Sequence, residues 1–280
     1  MSKETADLSP TPWQMIRSVR SYLGRLNVSL AGEISEVETK SGARYWLYES
    51  AKSAPADGFP LVVHLHGAAV GWSWVRRDIH WMAQAQEKAV TAGKSKPMVI
   101  VAPLDPTKFS MWVDGKSEVT NAATMVMKDI LPDVESAHPI AKDRANRHVH
   151  GFSMGGFGAA SLGLKYQQAF STVTIMDGAM HDWGTITKSR PKIAATQFGD
   201  DEAYFDQWSP WQLVQQADLS KTQFFVVEGL MESFNRRFAD HIRGLGGQAV
   251  SLSPNCLHDL RCLTQAHGED AFTFMSGSLD

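Results

Sequence analysis

The residues best suited to chemistry lie in one short stretch, HVHGFSMGGFG at residues 148–158, where a serine stands between glycines. Gly151-Phe152-Ser153-Met154-Gly155 follows a β-prone segment and precedes a run of small residues typical of a helix packed close to a sheet. This layout is typical of a nucleophile elbow, a strained turn that presents a serine hydroxyl at the end of a strand. Glycines are needed where a Cβ would collide with backbone. The pattern predicts Ser153 as a nucleophile, with a helix N-cap serine as the alternative.

A serine hydroxyl becomes a good nucleophile only when an imidazole takes its proton, so a histidine must approach Ser153 from another loop. In proteins with such an elbow the chain order is serine, acid, histidine. The downstream histidines are His181, His241, His258 and His267. His241 and His267 fall in predicted amphipathic helices, and His181 comes early, in an irregular segment. His258 follows the last predicted strand, where a loop can return to the elbow, and is therefore the predicted base.

Two carboxylates compete to orient that histidine. Asp177 follows the strand after the elbow, and Glu232 follows the next strand along the chain. Either would accept a hydrogen bond from the Nδ1–H group and stabilise the imidazolium that forms during attack. From the residues alone both positions stay open.

The negative charge that develops on a substrate carbonyl oxygen also needs donors. Met154 would open the helix after the elbow, and its free N–H lies at the positive end of that helix. A second donor normally comes from the loop after the third strand, which here reads His66-Gly67-Ala68-Ala69.

The rest of the chain alternates between strand and helix patterns, which indicates an α/β domain. Residues 33–39 and 44–49 alternate like antiparallel edge strands, and residues 60–66 form the apolar run of a buried parallel strand. Further helices are predicted after Pro12 and at residues 79–92, 122–134, 234–245 and 260–274, and further strands at residues 98–102, 147–150, 171–176, 223–227 and 249–252. We expect a mostly parallel central sheet flanked by helices, in a single domain of residues 1–280.

Aromatic residues suggest where a substrate binds. Residues 177–217 are aromatic and irregular, so we expect a short cap over a pocket there. The tryptophans expected to line the pocket are Trp72, Trp112, Trp183 and Trp208. They predict a preference for substrates with a bulky apolar or aromatic part.

Composition excludes several classes of partner. The net charge is −3 with interspersed basic residues, so a nucleic-acid partner is not expected. No apolar run approaches 18 residues, and the first residues lack the pattern of a signal peptide, so neither a membrane partner nor export is expected. Cytoplasmic residence is the expectation, and Cys256 and Cys262 suit a reducing compartment, with a local bridge as the alternative. The oligomeric state stays open.

Several segments together resemble a known family. They are HLHG at 64–67, MWVDG at 111–115, GFSMGG at 151–156, YFDQWSP at 204–210, VVEGLMESFN at 226–235 and PNCLHD at 254–259. In this order they resemble the esterase family of α/β-hydrolases, which includes esterase D-like S-formylglutathione hydrolases, feruloyl esterases, siderophore esterases and mycolyltransferases. The resemblance implies the α/β-hydrolase fold and a cofactor-independent serine hydrolase that cleaves an ester or thioester through an acyl-enzyme.

The resemblance also assigns residues. It implies His258 as the closing histidine and Ala68 N–H as the second oxyanion donor. Relatives usually carry Asp after the late strand where this chain has Glu232, so the resemblance favours Glu232 over Asp177 as the acid. A second departure is Pro-Asn-Cys before His258, where relatives tend to be rich in glycine.

Three alternatives stay open. An acyltransferase would use the same residues with an alcohol or amine in place of water. A metal-dependent hydrolase would use the pairs His64/His66 and His148/His150, each of which points to one face of a predicted strand. A binding protein that keeps the fold without activity is the third. We expect no metal and no cofactor.

Overall fold

The computed structural model describes residues 29–117, 120–230 and 234–277. The helix predicted after Pro12 lies outside the described residues. Within them, the chain forms one eight-stranded sheet in the order β1-β2-β4-β3-β5-β6-β7-β8. The strands are β1 Glu33–Glu38, β2 Arg44–Glu49, β3 Leu61–Leu65, β4 Val99–Pro103, β5 Arg147–Phe152, β6 Thr172–Met176, β7 Gln223–Val227 and β8 Gln248–Leu252. Only β1 and β2 run antiparallel to their neighbours, so the expected mostly parallel sheet is confirmed.

The burial of each strand follows from its place in the sheet. Every residue of β3, β4 and β6 is buried, because helices cover both faces of the parallel part. Strand β1 lies at the edge, and its residues are exposed or half-buried, with Glu and Ser among the apolar ones.

Helices form a layer on each face. The helices are α1 Trp72–Thr91, α2 Ala122–Thr124, α3 Leu131–Ala137, α4 Met154–Lys165, α5 Trp183–Ser189, α6 Pro191–Phe198, α7 Glu202–Asp206, α8 Pro210–Gln216, α9 Phe234–Gly244 and α10 Leu260–Met275, and a π-helical stretch, Met125–Ile130, joins α2 to α3. Helices α1 and α10 pack against each other on one face. Helix α4 packs on β3, β5 and β6 on the other face, and α9 packs on β7 and β8.

The segment predicted as a cap forms the four short helices α5 to α8. Their apolar side chains, including Ile186, Phe198, Phe205 and Val214, belong to the same buried cluster as α4. Whether the segment acts as a cap over substrate stays a prediction.

The sheet also fixes the place of the site. Strands β3, β5, β6, β7 and β8 are parallel, so their carboxyl ends meet at one edge. Ligands in open α/β sheets bind outside this edge. The loops that carry Ala68, Ser153, Asp177 and His258 all follow these strands.

Candidate active site

Ser153 lies in a tight turn between β5 and α4, with φ 56° and ψ −120°. L-residues rarely adopt this conformation, and it persists only where the surroundings enforce it. A Cβ on Gly151 would lie 1.9 Å from Gly155 O, and a Cβ on Gly155 would lie 1.8 Å from Leu65 O. Because both positions lack a Cβ, the turn can close on itself and pack on the end of β3. The serine is thereby presented at the carboxyl edge of the sheet.

His258 lies in the loop between β8 and α10 and reaches back to the elbow. Its Nε2 lies 2.9 Å from Ser153 Oγ. The ring of Phe152 lies 4.7 Å from the imidazole, centroid to centroid, and limits how the imidazole can turn. The structure therefore brings the predicted base to the predicted nucleophile within hydrogen-bonding distance.

Asp177 occupies the far side of the imidazole. Its Oδ2 lies 2.6 Å from His258 Nδ1, and its side chain is 1% exposed. An ionised carboxylate can only accept hydrogen bonds, so Nδ1 carries the proton and the Nε2 lone pair faces the serine hydroxyl. The other oxygen, Oδ1, accepts the N–H of Gly229 at 2.9 Å. Both carboxylate oxygens thus have fixed partners.

Glu232, the acid that the family resemblance favoured, lies outside the described residues. The carboxylate that follows β7 directly is Glu228, which is buried and accepts the Arg236 N–H at 2.8 Å. Among the described residues, Asp177 is the carboxylate that contacts the His258 imidazole. Its position at the end of β6, directly before a glycine, was the only signal in the sequence.

The turn that carries Asp177 is held by contacts that the sequence did not suggest. Asp177 has φ 47°, and its N–H donates to Val227 O. Buried Asn235 contacts both backbone groups of the next residue: Gly178 N–H donates to Oδ1 at 2.8 Å, and Nδ2 donates to Gly178 O at 3.1 Å. Ala179 N–H then donates to Ser153 O. The acid turn and the nucleophile turn are therefore bonded to each other.

The predicted oxyanion donors lie on adjoining loops. A Cβ on Gly67 would lie 3.3 Å from Ser153 Cβ, so the loop after β3 passes beside the serine. His66 holds this loop, because its Nδ1–H donates to Gly67 O and its Nε2 accepts the N–H of Asp105. Within the described residues neither Ala68 N–H nor Met154 N–H donates a hydrogen bond. Two backbone donors beside the serine are the requirement for holding an oxyanion.

The four histidines of the His-x-His pairs do not converge on one point. His64 Nδ1 lies 2.9 Å from His150 Nδ1, whereas His148 Nδ1 bonds Thr172 and His66 bonds the loop after β3. Burial lowers the pKa of both His64 and His148 to about 3, so these rings are neutral. In the described ranges no group of three or more His, Cys, Asp or Glu side chains is placed to hold a metal ion.

Two of the four tryptophans expected to line a pocket, Trp112 and Trp208, need a correction. Trp112 and Trp208 are buried in the core. Trp112 packs against Gly158 of α4, and the backbone carbonyl of Trp208 accepts a hydrogen bond from the Ser161 hydroxyl on the same helix. Trp183 packs on the Phe205 ring, and Trp72 stacks on Trp46 of strand β2, so the pocket role of these two stays a prediction. A large aromatic surface stabilises the fold wherever it is buried, and aromatic content alone does not identify a pocket.

Cys256 and Cys262 form a disulfide that spans the His258 loop and the start of α10. Such bridges are typical of oxidising compartments, which weighs against the expected cytoplasmic location. That location stays a prediction. No helix among the described residues is both long and apolar enough to span a membrane.

Known proteins resemble this chain in fold and family. A family model described as "Putative esterase" matches residues 46–245. A solved ferulic acid esterase has a TM-score of 0.71 at 20% identity, covering 89% of this chain and 99% of its own. An S-formylglutathione hydrolase from Agrobacterium tumefaciens has a TM-score of 0.71 at 16% identity, covering 91% of this chain and 98% of its own. A fluorophosphonate-binding serine hydrolase from Staphylococcus aureus has a TM-score of 0.68 at 14% identity, covering 89% and 99%. No curated protein sequence matches the chain.

The sheet order and these structural likenesses show that the chain has the α/β-hydrolase fold. Because the family model spans well over half of the sequence, the chain belongs to the esterase family that the sequence motifs indicated. It is a carboxylic ester hydrolase.

Proposed function

We propose that the protein is a serine esterase that cleaves a carboxylic ester or thioester through an acyl-enzyme intermediate. The observation that carries the proposal is the continuous line of hydrogen bonds from Ser153 Oγ through the His258 imidazole to the Asp177 carboxylate. In this assignment Asp177 takes the role for which the family resemblance favoured Glu232. The substrate is a small molecule, and no cofactor takes part.

In the first half of the reaction, Ser153 Oγ attacks the substrate carbonyl carbon while His258 Nε2 accepts the hydroxyl proton. The carbonyl oxygen gains negative charge and binds the N–H groups of Ala68 and Met154. Asp177 stabilises the imidazolium that has formed. When the tetrahedral intermediate collapses, His258 gives its proton to the leaving oxygen or sulfur, and the acyl group stays on Ser153.

In the second half, water takes the place of the leaving group, and His258 accepts its proton as it attacks the acyl-enzyme. A second collapse releases the carboxylic acid and restores Ser153. An alcohol or amine in place of water would give acyl transfer with the same residues. Adding glycerol to the assay separates the two outcomes, because acyl transfer yields a glyceryl ester where hydrolysis yields only free acid.

The Ser153→Ala variant tests this proposal, with p-nitrophenyl butyrate as the substrate. We expect kcat to fall by about 10³-fold or more with an unchanged Tm, because a single oxygen is removed. Ser161→Ala is the matched control: this serine is buried two turns further along α4, and its hydroxyl donates to the backbone carbonyls of Phe157 and Trp208. Residual activity of Ser153→Ala above about a tenth of wild type would contradict the nucleophile assignment.

A chelator tests the metal-dependent alternative. Dialysis against EDTA is expected to leave kcat unchanged, because the proposed reaction uses only side chains and backbone donors. A loss of activity that zinc restores would instead favour chemistry at the paired histidines of β3 and β5.

A further inference from the structure

We infer that Leu230 and Leu257 bind the alcohol part of the substrate and select esters whose alcohol is apolar. The inference rests on the proposed acyl-enzyme route. It concerns where the alcohol part and the acyl part of the substrate lie relative to His258.

Three of the four most exposed large apolar side chains among the described residues lie in loops that carry or contact the proposed catalytic groups. In the described part of the chain, those with large exposure are Phe109 at 44%, Leu230 at 61%, Leu245 at 43% and Leu257 at 55%. Scattered exposed apolar residues are ordinary, but a cluster beside a reactive group indicates a binding surface. Leu245 is the exception, because it lies in the turn before β8, at the amino ends of the parallel strands, whereas Ser153 lies at their carboxyl ends.

Leu230 and Leu257 lie together on the histidine side of the site. Leu257 directly precedes His258, and Leu230 directly follows Gly229, whose N–H binds the acid. The two loops are bonded to each other, because Leu230 N–H donates to Cys256 O at 2.8 Å. Phe109 lies on the other side, in the loop whose Lys108 O accepts the N–H of Ala69.

The order of proton transfers assigns the substrate to these sides. His258 must give the Ser153 proton to the leaving oxygen, so that oxygen lies within hydrogen-bonding reach of Nε2 during collapse. The ring of Phe152 packs against the imidazole and also against the buried apolar cluster that includes Val227 and Leu260. The alcohol attached to the leaving oxygen therefore extends past the imidazole towards solvent, along the loops that carry Leu230 and Leu257. The acyl group stays on Ser153, away from them.

This placement makes a mechanistic distinction that can be measured. The alcohol leaves before the acyl-enzyme is hydrolysed, so a residue that contacts only the alcohol affects acylation and leaves deacylation alone. Covering an apolar alcohol with about 40 Å² of leucine surface corresponds to about a fivefold gain in kcat/KM for each residue.

The test uses Leu230→Ser and Leu257→Ser, with Leu245→Ser as the matched control. Hexyl butyrate and glyceryl butyrate share the acyl group and differ in the alcohol. We expect wild type and Leu245→Ser to prefer hexyl butyrate, and each of the other variants to lose about fivefold of that preference in kcat/KM. The rate after the p-nitrophenol burst with p-nitrophenyl butyrate, which reports deacylation, should be the same in all four proteins.

Two results would overturn the inference. One is an unchanged alcohol preference in both variants. The other is a changed preference between hexyl acetate and hexyl butyrate, which would place the leucines against the acyl group. Activity retained by Ser153→Ala would instead contradict the acyl-enzyme route itself, so the two failures are distinguishable.

Discussion

The Asp177→Asn variant is expected to keep its fold and lose about 10⁴-fold in kcat. The hydrogen bonds of the carboxylate explain the magnitude. Gly229 N–H needs an acceptor 2.9 Å away, so the amide oxygen takes the place of Oδ1. The amide NH₂ then takes the place of Oδ2, which lies 2.6 Å from His258 Nδ1. This NH₂ group donates a hydrogen bond to Nδ1, whereas the carboxylate accepted one from it. The imidazole proton moves to Nε2, the atom that must accept the proton of Ser153. A 10⁴-fold loss corresponds to about 5.4 kcal/mol of transition-state stabilisation.

The assay compares kcat for p-nitrophenyl butyrate at pH 8 among three variants of similar size, with Tm measured for each. Glu228→Gln is the matched control, because it also changes a buried carboxylate at the end of a neighbouring strand. Its amide oxygen can still accept the Arg236 N–H, so kcat should stay within about threefold of wild type. Glu232→Gln tests the other candidate. If Asp177→Asn stays within about threefold while Glu232→Gln loses most activity, the acid is Glu232 and the reasoning from geometry fails.

Three further predictions concern the supports of the site. Gly155→Ala should lower the free energy of unfolding by about 3 kcal/mol, because the new Cβ would lie 1.8 Å from a backbone oxygen. The control is Gly71→Ala, where a Cβ would meet nothing within 4 Å, and it should change the free energy of unfolding by less than about 1 kcal/mol. Equal effects of the two substitutions in urea titrations would refute this account. Asn235→Leu should lower kcat about tenfold with KM unchanged, because the Gly178 backbone groups lose their buried partners and the acid turn loosens; a change in KM alone would contradict a positioning role. Burial lowers the pKa of His148 to about 3, so stability present above pH 6.5 is lost as the pH falls towards 3. Between pH 7.5 and 5.5 wild type should therefore lose about 1.4 kcal/mol more than His148→Gln, whereas equal losses would argue against a neutral buried ring.

Much of the fold was predictable, because continuous apolar runs mark buried parallel strands. Strand β7 was predicted at its observed bounds, and β3 and β6 to within one residue at each end. The elbow was predictable as well, because a Cβ at either of its two glycines would lie less than 2 Å from a backbone oxygen, so that only glycine fits there. His258 followed from its place after the last strand. In each case a local pattern carried the information.

The rest depended on tertiary contacts that no local pattern encodes. The acid was assigned to the end of β7 by family resemblance, whereas the geometry places Asp177, at the end of β6, on the imidazole. Trp112 and Trp208 were expected at a pocket and lie in the core. A tryptophan in the sequence is compatible with either place, so the sequence alone does not distinguish them. Asn235 and Gly178 are 57 residues apart in the sequence, and a hydrogen bond between such residues cannot be read from a single sequence.

Covalent labelling of the serine tests the central claim most directly. A fluorophosphonate reacts with a serine only when a neighbouring base activates it, and the adduct can be located by mass spectrometry of peptides. We predict one adduct per chain, on the peptide that contains Ser153, with labelling abolished in Ser153→Ala and strongly slowed in Asp177→Asn. An active protein that gains no adduct, or whose adduct lies on another residue, would contradict the proposal that Ser153 is the nucleophile of this esterase.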